Sequence, residues 1–77
     1  MNYLGNEVEM YSVSSSNVLE VGYDASNETV LVRYTNSSLY AYKGVNEFEF
    51  ENLKTAPSIG SYLARNFKNV YPYERIE

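Results

Sequence analysis

An α+β fold is what this sequence predicts: a small antiparallel meander of three to four strands followed by two helices packed on one face (β-β-β-α-α). Three observations predict it. Between residues 18 and 43, apolar and polar side chains alternate in three short runs, the period of half-buried strands. Short polar clusters of turn-forming residues separate those runs. Beyond residue 45 the apolar spacing becomes helical, and Pro57 divides it into two segments, because proline disfavours helical geometry in the residue before it.

The elements follow in order. Residues 1–7, with Gly5 among polar neighbours, are expected to be a loosely held start. "EVEMYSV" is compatible with a short edge strand, although its apolar spacing settles on neither face. "SSSN" is a turn cluster whose small polar side chains compete for backbone hydrogen bonds. In "VLEVGYD", alternation sets Leu19, Val21 and Tyr23 on one face and Val18, Glu20 and Gly22 on the other. "DASNE" makes the hairpin loop, and "TVLVRYT" sets Val30, Val32 and Tyr34 against Leu31, Arg33 and Thr35. After the turn "NSS", the run "LYAYKGV" must carry Tyr40 and Tyr42 on a shared face.

Helix chemistry begins at Asn46, an N-cap with Glu49 three residues on to close a capping box. Val45 and Phe50 are spaced for a hydrophobic staple. Glu47, Glu49 and Glu51 meet the positive end of the helix dipole, which explains the acidic run without a binding role; an acidic binding surface is the competing account. This helix should run through Leu53 and stop near Ala56. In "SIGSYLARNFKNVY", Ile59, Tyr62, Leu63, Phe67 and Val70 form a core-facing stripe that leaves Arg65 and Lys68 on the outer side. Pro72 is expected to end the second helix, and "YERI" to fold back or pair.

Composition narrows the function. Seventy-seven residues make one domain, 1–77, in which burial on folding is only a little above ~60% of the unfolded surface, so nearly every large apolar side chain is needed for the core. Nine tyrosines and three phenylalanines, without tryptophan, make tyrosine a principal packing residue. The absence of cysteine excludes disulfides, thiolate metal sites and thiol nucleophiles. The absence of histidine excludes imidazole catalysis and the usual zinc ligands. Ser14, Ser15 and Ser16 therefore have no partnering base, and Glu20 and Asp24 lie on different faces of a strand and its turn; no enzyme is expected. No segment approaches the ~20 apolar residues of a membrane span, and a cytoplasmic protein of a bacterial host cell is expected. Asn27 and Asn36, in Asn-x-Ser/Thr sequons, then serve only as turn residues. The net charge of −4 is uneven: residues 1–51 set Arg33 and Lys43 against eight carboxylates, whereas 52–77 hold Lys54, Arg65, Lys68 and Arg75 against Glu74 and Glu77. Such a balance disfavours a long polyanion bound through many phosphates and leaves room for a single phosphate-bearing ligand or a basic protein partner.

At "VSSSNVLEVGYD", the spaced Val30, Val32 and Tyr34, the "YAY" of Tyr40 to Tyr42, Val45, "APSIGSYL" and "YPYERI", the chain resembles the KTSC domain family. That family is named from its occurrence at the C-terminus of some lysyl-tRNA synthetases and is also found as small stand-alone proteins of bacteria and their phages. The resemblance covers roughly residues 13–76 and rests on the order and spacing of these elements together. It implies a binding module for which RNA has been suggested as ligand. Two features depart from the pattern: Ser37 stands where the family usually has glycine, and the acidic balance argues against extended RNA.

Two candidate sites emerge. Tyr40 and Tyr42 on one face would make a stacking platform for bases; the competing account buries them under the helices, since Val30, Val32 and Tyr34 need an inward partner face and Ala41 on the opposite face is too small to anchor a core. The second is "KTAPSIGSY", where Ser58 is an N-cap, Gly60 permits close backbone approach, and the N–H groups around Ser61, with Lys54, Arg65 and Lys68 in the neighbourhood, suit a phosphate; here an ordinary capped helix is the competing account. The expected function is a non-catalytic module binding a nucleotide or short nucleic-acid element, without cofactor or metal. The alternative is a protein-interaction or inhibitor protein, for example a small phage protein that blocks or sequesters a host factor or signal. Self-association is an open expectation, from edge strands and a small core.

Overall fold

The computed structural model describes residues 1–77. Seven strands and two helices occur in the order β1 (Asn2–Tyr3), β2 (Asn6–Glu7), β3 (Met10–Ser12), β4 (Val18–Asp24), β5 (Thr29–Tyr34), β6 (Leu39–Lys43), α1 (Glu47–Lys54), α2 (Ile59–Asn66) and β7 (Tyr73–Arg75). Strands β3 to β7 form one antiparallel sheet with spatial order β3-β4-β5-β6-β7, while β1 and β2 form a separate hairpin. The α+β meander capped by two helices is present. Its strand count rises to five because "EVEMYSV" does supply an edge strand and "YERI" does pair, Tyr73 opposite Tyr42 and Arg75 opposite Tyr40.

Both faces of the sheet are covered. On one, the helices bring Phe50, Leu53, Ile59, Leu63 and Phe67 down onto Val21, Val30, Val32 and Tyr42. On the other, the β1–β2 hairpin folds across the sheet, and Tyr3 and Val8 bury Leu31, Leu39 and Ala41, the last three fully. Residues 1–7 are thus not a loose start but the lid of a second, smaller core. Ala41 belongs to that core, where it is fully buried in the cluster with Tyr3, Val8, Leu31 and Leu39. Gly22 shows how closely the chain passing from β2 to β3 crosses this face, since a Cβ at that position would stand 2.9 Å from the Glu9 carbonyl oxygen and 3.1 Å from Val8 Cγ1.

Three local details depart from simple periodicity. The pairing of β4 with β5 shifts between Val18 and Glu20, a bulge that buries Val18 and turns Leu19 out to 48% exposure. In α1, Asn46 Oδ1 accepts from the Glu49 N–H at 2.9 Å, as an N-cap should, but the Glu49 carboxylate does not close the box; it accepts from the Tyr62 hydroxyl of α2 at 2.7 Å and ties the helices together. Helix α2 ends at Asn66, ahead of Pro72, because Asn69 adopts a left-handed φ of 64° and the chain turns through 67–70. Val70 consequently leaves the stripe and is 58% exposed.

Candidate functional site

The turn after α2 lies beside the β6–β7 edge and opens a groove of about 530 Å³. Tyr34, Tyr40, Tyr42 and Tyr73 form its aromatic wall. Asn17, Thr35, Asn36, Ser38 and Asn69 line it with amides and hydroxyls, and Lys68 is its sole charged residue. Register explains the wall: Tyr40 lies opposite Val32 and Arg75, Tyr42 opposite Val30 and Tyr73, so alternation places the rings on the helix face of adjacent strands. Tyr40 and Tyr73 approach to 5.8 Å between centroids, and Tyr42 and Tyr73 to 5.7 Å. Tyr42 also meets Phe67 of the core edge-on, at 5.5 Å and 87°. Exposure is graded across the wall: Tyr42 is 2% exposed, Tyr40 and Tyr34 are intermediate, and Tyr73 is 57% exposed. The two accounts of the Tyr40–Tyr42 pair are therefore divided between the residues, with Tyr42 core and Tyr40 at the rim of the groove.

The Tyr34 and Tyr42 hydroxyls are hydrogen-bonded to each other at 2.8 Å. Burial, reinforced by that bond, pushes the Tyr34 hydroxyl far above the ordinary tyrosine range. Burial raises Tyr42 too, against an opposing effect from the Tyr34 bond. Both remain protonated near neutral pH. One proton is used in the mutual bond, which leaves the pair a single proton to donate elsewhere. The groove lining thus offers ring faces, amide and hydroxyl groups and one positive charge, Lys68. No group of three acidic side chains converges to hold a metal ion.

The residues singled out in the sequence fall into four places. Tyr40, Tyr42 and Lys68 meet in the groove; Lys68 reaches it because α2 has already ended. Ser58, Gly60 and Ser61 remain at the start of α2, where Ser58 Oγ accepts from the Ser61 N–H at 3.3 Å in ordinary capping. Gly60 is not demanded by sterics: a Cβ there would lie 3.6 Å from Asn17 Nδ2 and 3.9 Å from Ser15 Oγ, normal contact distances. Arg65 is exposed on the last turn of α2, outside the groove lining. Lys54 lies elsewhere, bonded to Glu51 at 3.1 Å and set over the Tyr11 ring. Besides Tyr34 and the turn residues Thr35, Asn36 and Ser38, which it assigned to no site, sequence reasoning missed Tyr73, Asn17 and Asn69 as groove residues. The "YPY" pairing with β6 was the available signal for Tyr73; the two asparagines reach the groove through tertiary folding alone.

The fold is that of a small α+β domain, a five-stranded antiparallel sheet with two helices on one face. The family model described as the KTSC domain matches residues 14–71, and the chain belongs to that family. Among solved structures it is similar to the KTSC domain protein YPO2434 from Yersinia pestis, with 28% identity, a TM-score of 0.88, and coverage of 92% of this chain and 100% of that one. No curated protein matches the chain. The match to the family model spans β4 to α2 and stops before β7, so that Tyr73 lies outside it.

Proposed function

We propose that this chain is a non-catalytic binding module whose groove holds a nucleotide or a short single-stranded nucleic-acid element in the cytoplasm of a bacterial cell. The observation that carries the reading is the lining: four tyrosines with amide and hydroxyl groups around them and Lys68 as the single charge. Tyr73 and Tyr40 offer ring faces, and stacking on such faces contributes ~1–3 kcal/mol per base. The amides present donors and acceptors for base edges, and Lys68 takes one phosphate. With one cation in the groove and a net charge of −4, the ligand is short rather than a polyanion tracked along its backbone.

Anisotropy titration of a labelled four-nucleotide RNA, with calorimetry of nucleoside monophosphates alongside, tests this. Lys68→Glu is expected to weaken binding at least about tenfold with an unchanged thermal melt, because its side chain is exposed, and Tyr73→Ala about fivefold or more with a modestly lower melt, because Tyr73 also packs on the Tyr40 and Tyr42 rings. Arg65→Glu should have little effect. The wild-type salt dependence should be shallow, a log–log slope near −0.7 for one phosphate on a single strand. Absence of wild-type binding, or binding indifferent to both groove substitutions, would refute the reading.

A second reading, a protein-interaction module, is favoured by Phe48, a large aromatic side chain that stands 79% exposed on α1. It predicts that Phe48→Ala removes a stoichiometric protein partner captured from host lysate without altering nucleotide binding.

A further inference from the structure

At the opposite edge of the sheet from the groove, β3, β4 and α1 enclose a second cavity of about 310 Å³. Three rings wall it. Tyr23 stacks on Phe50 at 5.3 Å and 16°, and Tyr11 tilts against Phe50 at 6.4 Å. Two of them are anchored by hydrogen bonds, the Tyr23 hydroxyl donating to the Val45 carbonyl at 2.7 Å and the Tyr11 hydroxyl to the Glu9 carboxylate at 2.9 Å. Glu9, Glu47 and Glu51 stand in the lining, against one cation, Lys54. Lys54 is part of the wall and shows that these groups hold an ammonium: its Nζ sits 4.5 Å from the Tyr11 ring centre, 5.5 Å from that of Phe50, and 3.1 Å from Glu51 Oε2. Aromatic faces attract an ammonium through the ring quadrupole, and a neighbouring carboxylate adds to the attraction. Capping accounts for Glu47 near the start of α1, while Glu9, held by the Tyr11 hydroxyl, and Glu51, paired with Lys54, bring two further carboxylates to the lining.

We propose that this cavity is a receptor site for an alkylammonium group, in which Lys54 acts as a tethered, displaceable occupant. The ligand is an unbranched amine of the kind carried by a free polyamine or by a lysine side chain. The site is independent of the groove and opposite to it in charge preference.

The test is an NMR titration of the full chain with spermidine and with N-acetyl-lysine methylamide, followed through the ring signals of Tyr11, Tyr23 and Phe50. Lys54→Met removes the internal competitor and should raise affinity at least about threefold over wild type. Lys43→Met removes the same charge from β6, where Lys43 pairs with Glu74 at 3.5 Å, and should change it less than about twofold. In the Lys54→Met background, Tyr11→Ala should cancel the gain, and Glu51→Gln, with no ring removed, should also reduce it. The amine's methylene protons next to nitrogen should move upfield, as they do above a ring face. Binding of spermidine alone assigns the site to free polyamines; binding of the capped lysine as well assigns it to a protein side chain. If neither amine moves the ring signals in Lys54→Met, or if Lys43→Met gives an equal gain, the proposal is overturned.

Discussion

Ser37 holds a φ of 73°, in the left-handed region that an L-residue with a Cβ enters at a cost of roughly 1–2 kcal/mol. It stays there because the turn from β5 to β6 is closed on all sides. The Ser37 N–H donates to the Tyr34 carbonyl at 2.9 Å, the Tyr34 N–H donates to Ser38, and Arg33 Nη1 donates to the Ser37 carbonyl at 2.9 Å. Ser37, where the resemblance implied glycine, therefore carries a backbone strain. Ser37→Gly relieves it and gives back part of the gain through the freer unfolded chain, so a net stabilisation of about 0.5–1 kcal/mol is expected. In a domain of this size that is a rise of roughly 2–8 °C in melting temperature. A melt that is unchanged or lower would mean the serine side chain contributes something the backbone does not reveal. Since the same turn carries Thr35, Asn36 and Ser38 into the groove, the substitution also reports whether groove affinity depends on that turn's conformation.

Among the elements, β4 shows how closely packed the second face is. Gly22 leaves no room for a side chain beneath the chain crossing from β2 to β3, so Gly22→Ala must push that crossing outward. A loss of about 1–3 kcal/mol is expected, the range for overpacking a filled site, measured by chemical denaturation. Amide exchange should quicken first in β1 to β3, whereas α1 and α2, on the other face, should change little until global unfolding. These same elements mark where the sequence was legible. Val30, Val32, Tyr34 and the Tyr40–Tyr42 pair alternate without interruption, and Asn46 and Ser58 cap their helices, because each depends on neighbours within a few residues. Leu19 and Val18 exchanged faces because one bulge resets a period of two. The hairpin escaped notice because two-residue strands carry no period, and because its turn uses Leu4 at φ 50° ahead of Gly5, where leucine is an unusual choice. The candidate site was legible in part for the same reason. Tyr40, Tyr42 and Lys68 could be named, but Lys68 joins the tyrosines only because Asn69 stops α2, and Lys54 was drawn away by rings from β3, β4 and its own helix.

For the whole molecule, a thin protein with two cores has relied on tyrosine where larger domains use leucine, and that choice makes stability depend on pH at the alkaline end. Burial raises Tyr34 and Tyr42 above the ordinary value of 10.0, and hydrogen bonding to Glu49 raises Tyr62, with burial adding to it. A tyrosine whose folded value is raised holds its proton more tightly in the native state than in the unfolded chain. Its contribution is complete below the unfolded value and is lost as pH climbs from there through the folded one. The melting temperature should therefore be flat from about pH 7 to 9 and fall steadily above about pH 10. Absorbance of the phenolate near ~295 nm should rise in two stages: accessible tyrosines first, and Tyr34 and Tyr42 only together with loss of the circular dichroism signal. Tyr34→Phe removes one of the strongly shifted groups and should make the alkaline decline less steep. A single titration of all nine tyrosines with the fold intact would contradict the buried pair as the source of the effect. The groove supplies an internal check. A ligand that covers Tyr34 and Tyr42 deepens their burial, so saturating nucleotide should move the second stage to higher pH, whereas an amine bound in the cavity at the other edge should leave that stage where it was.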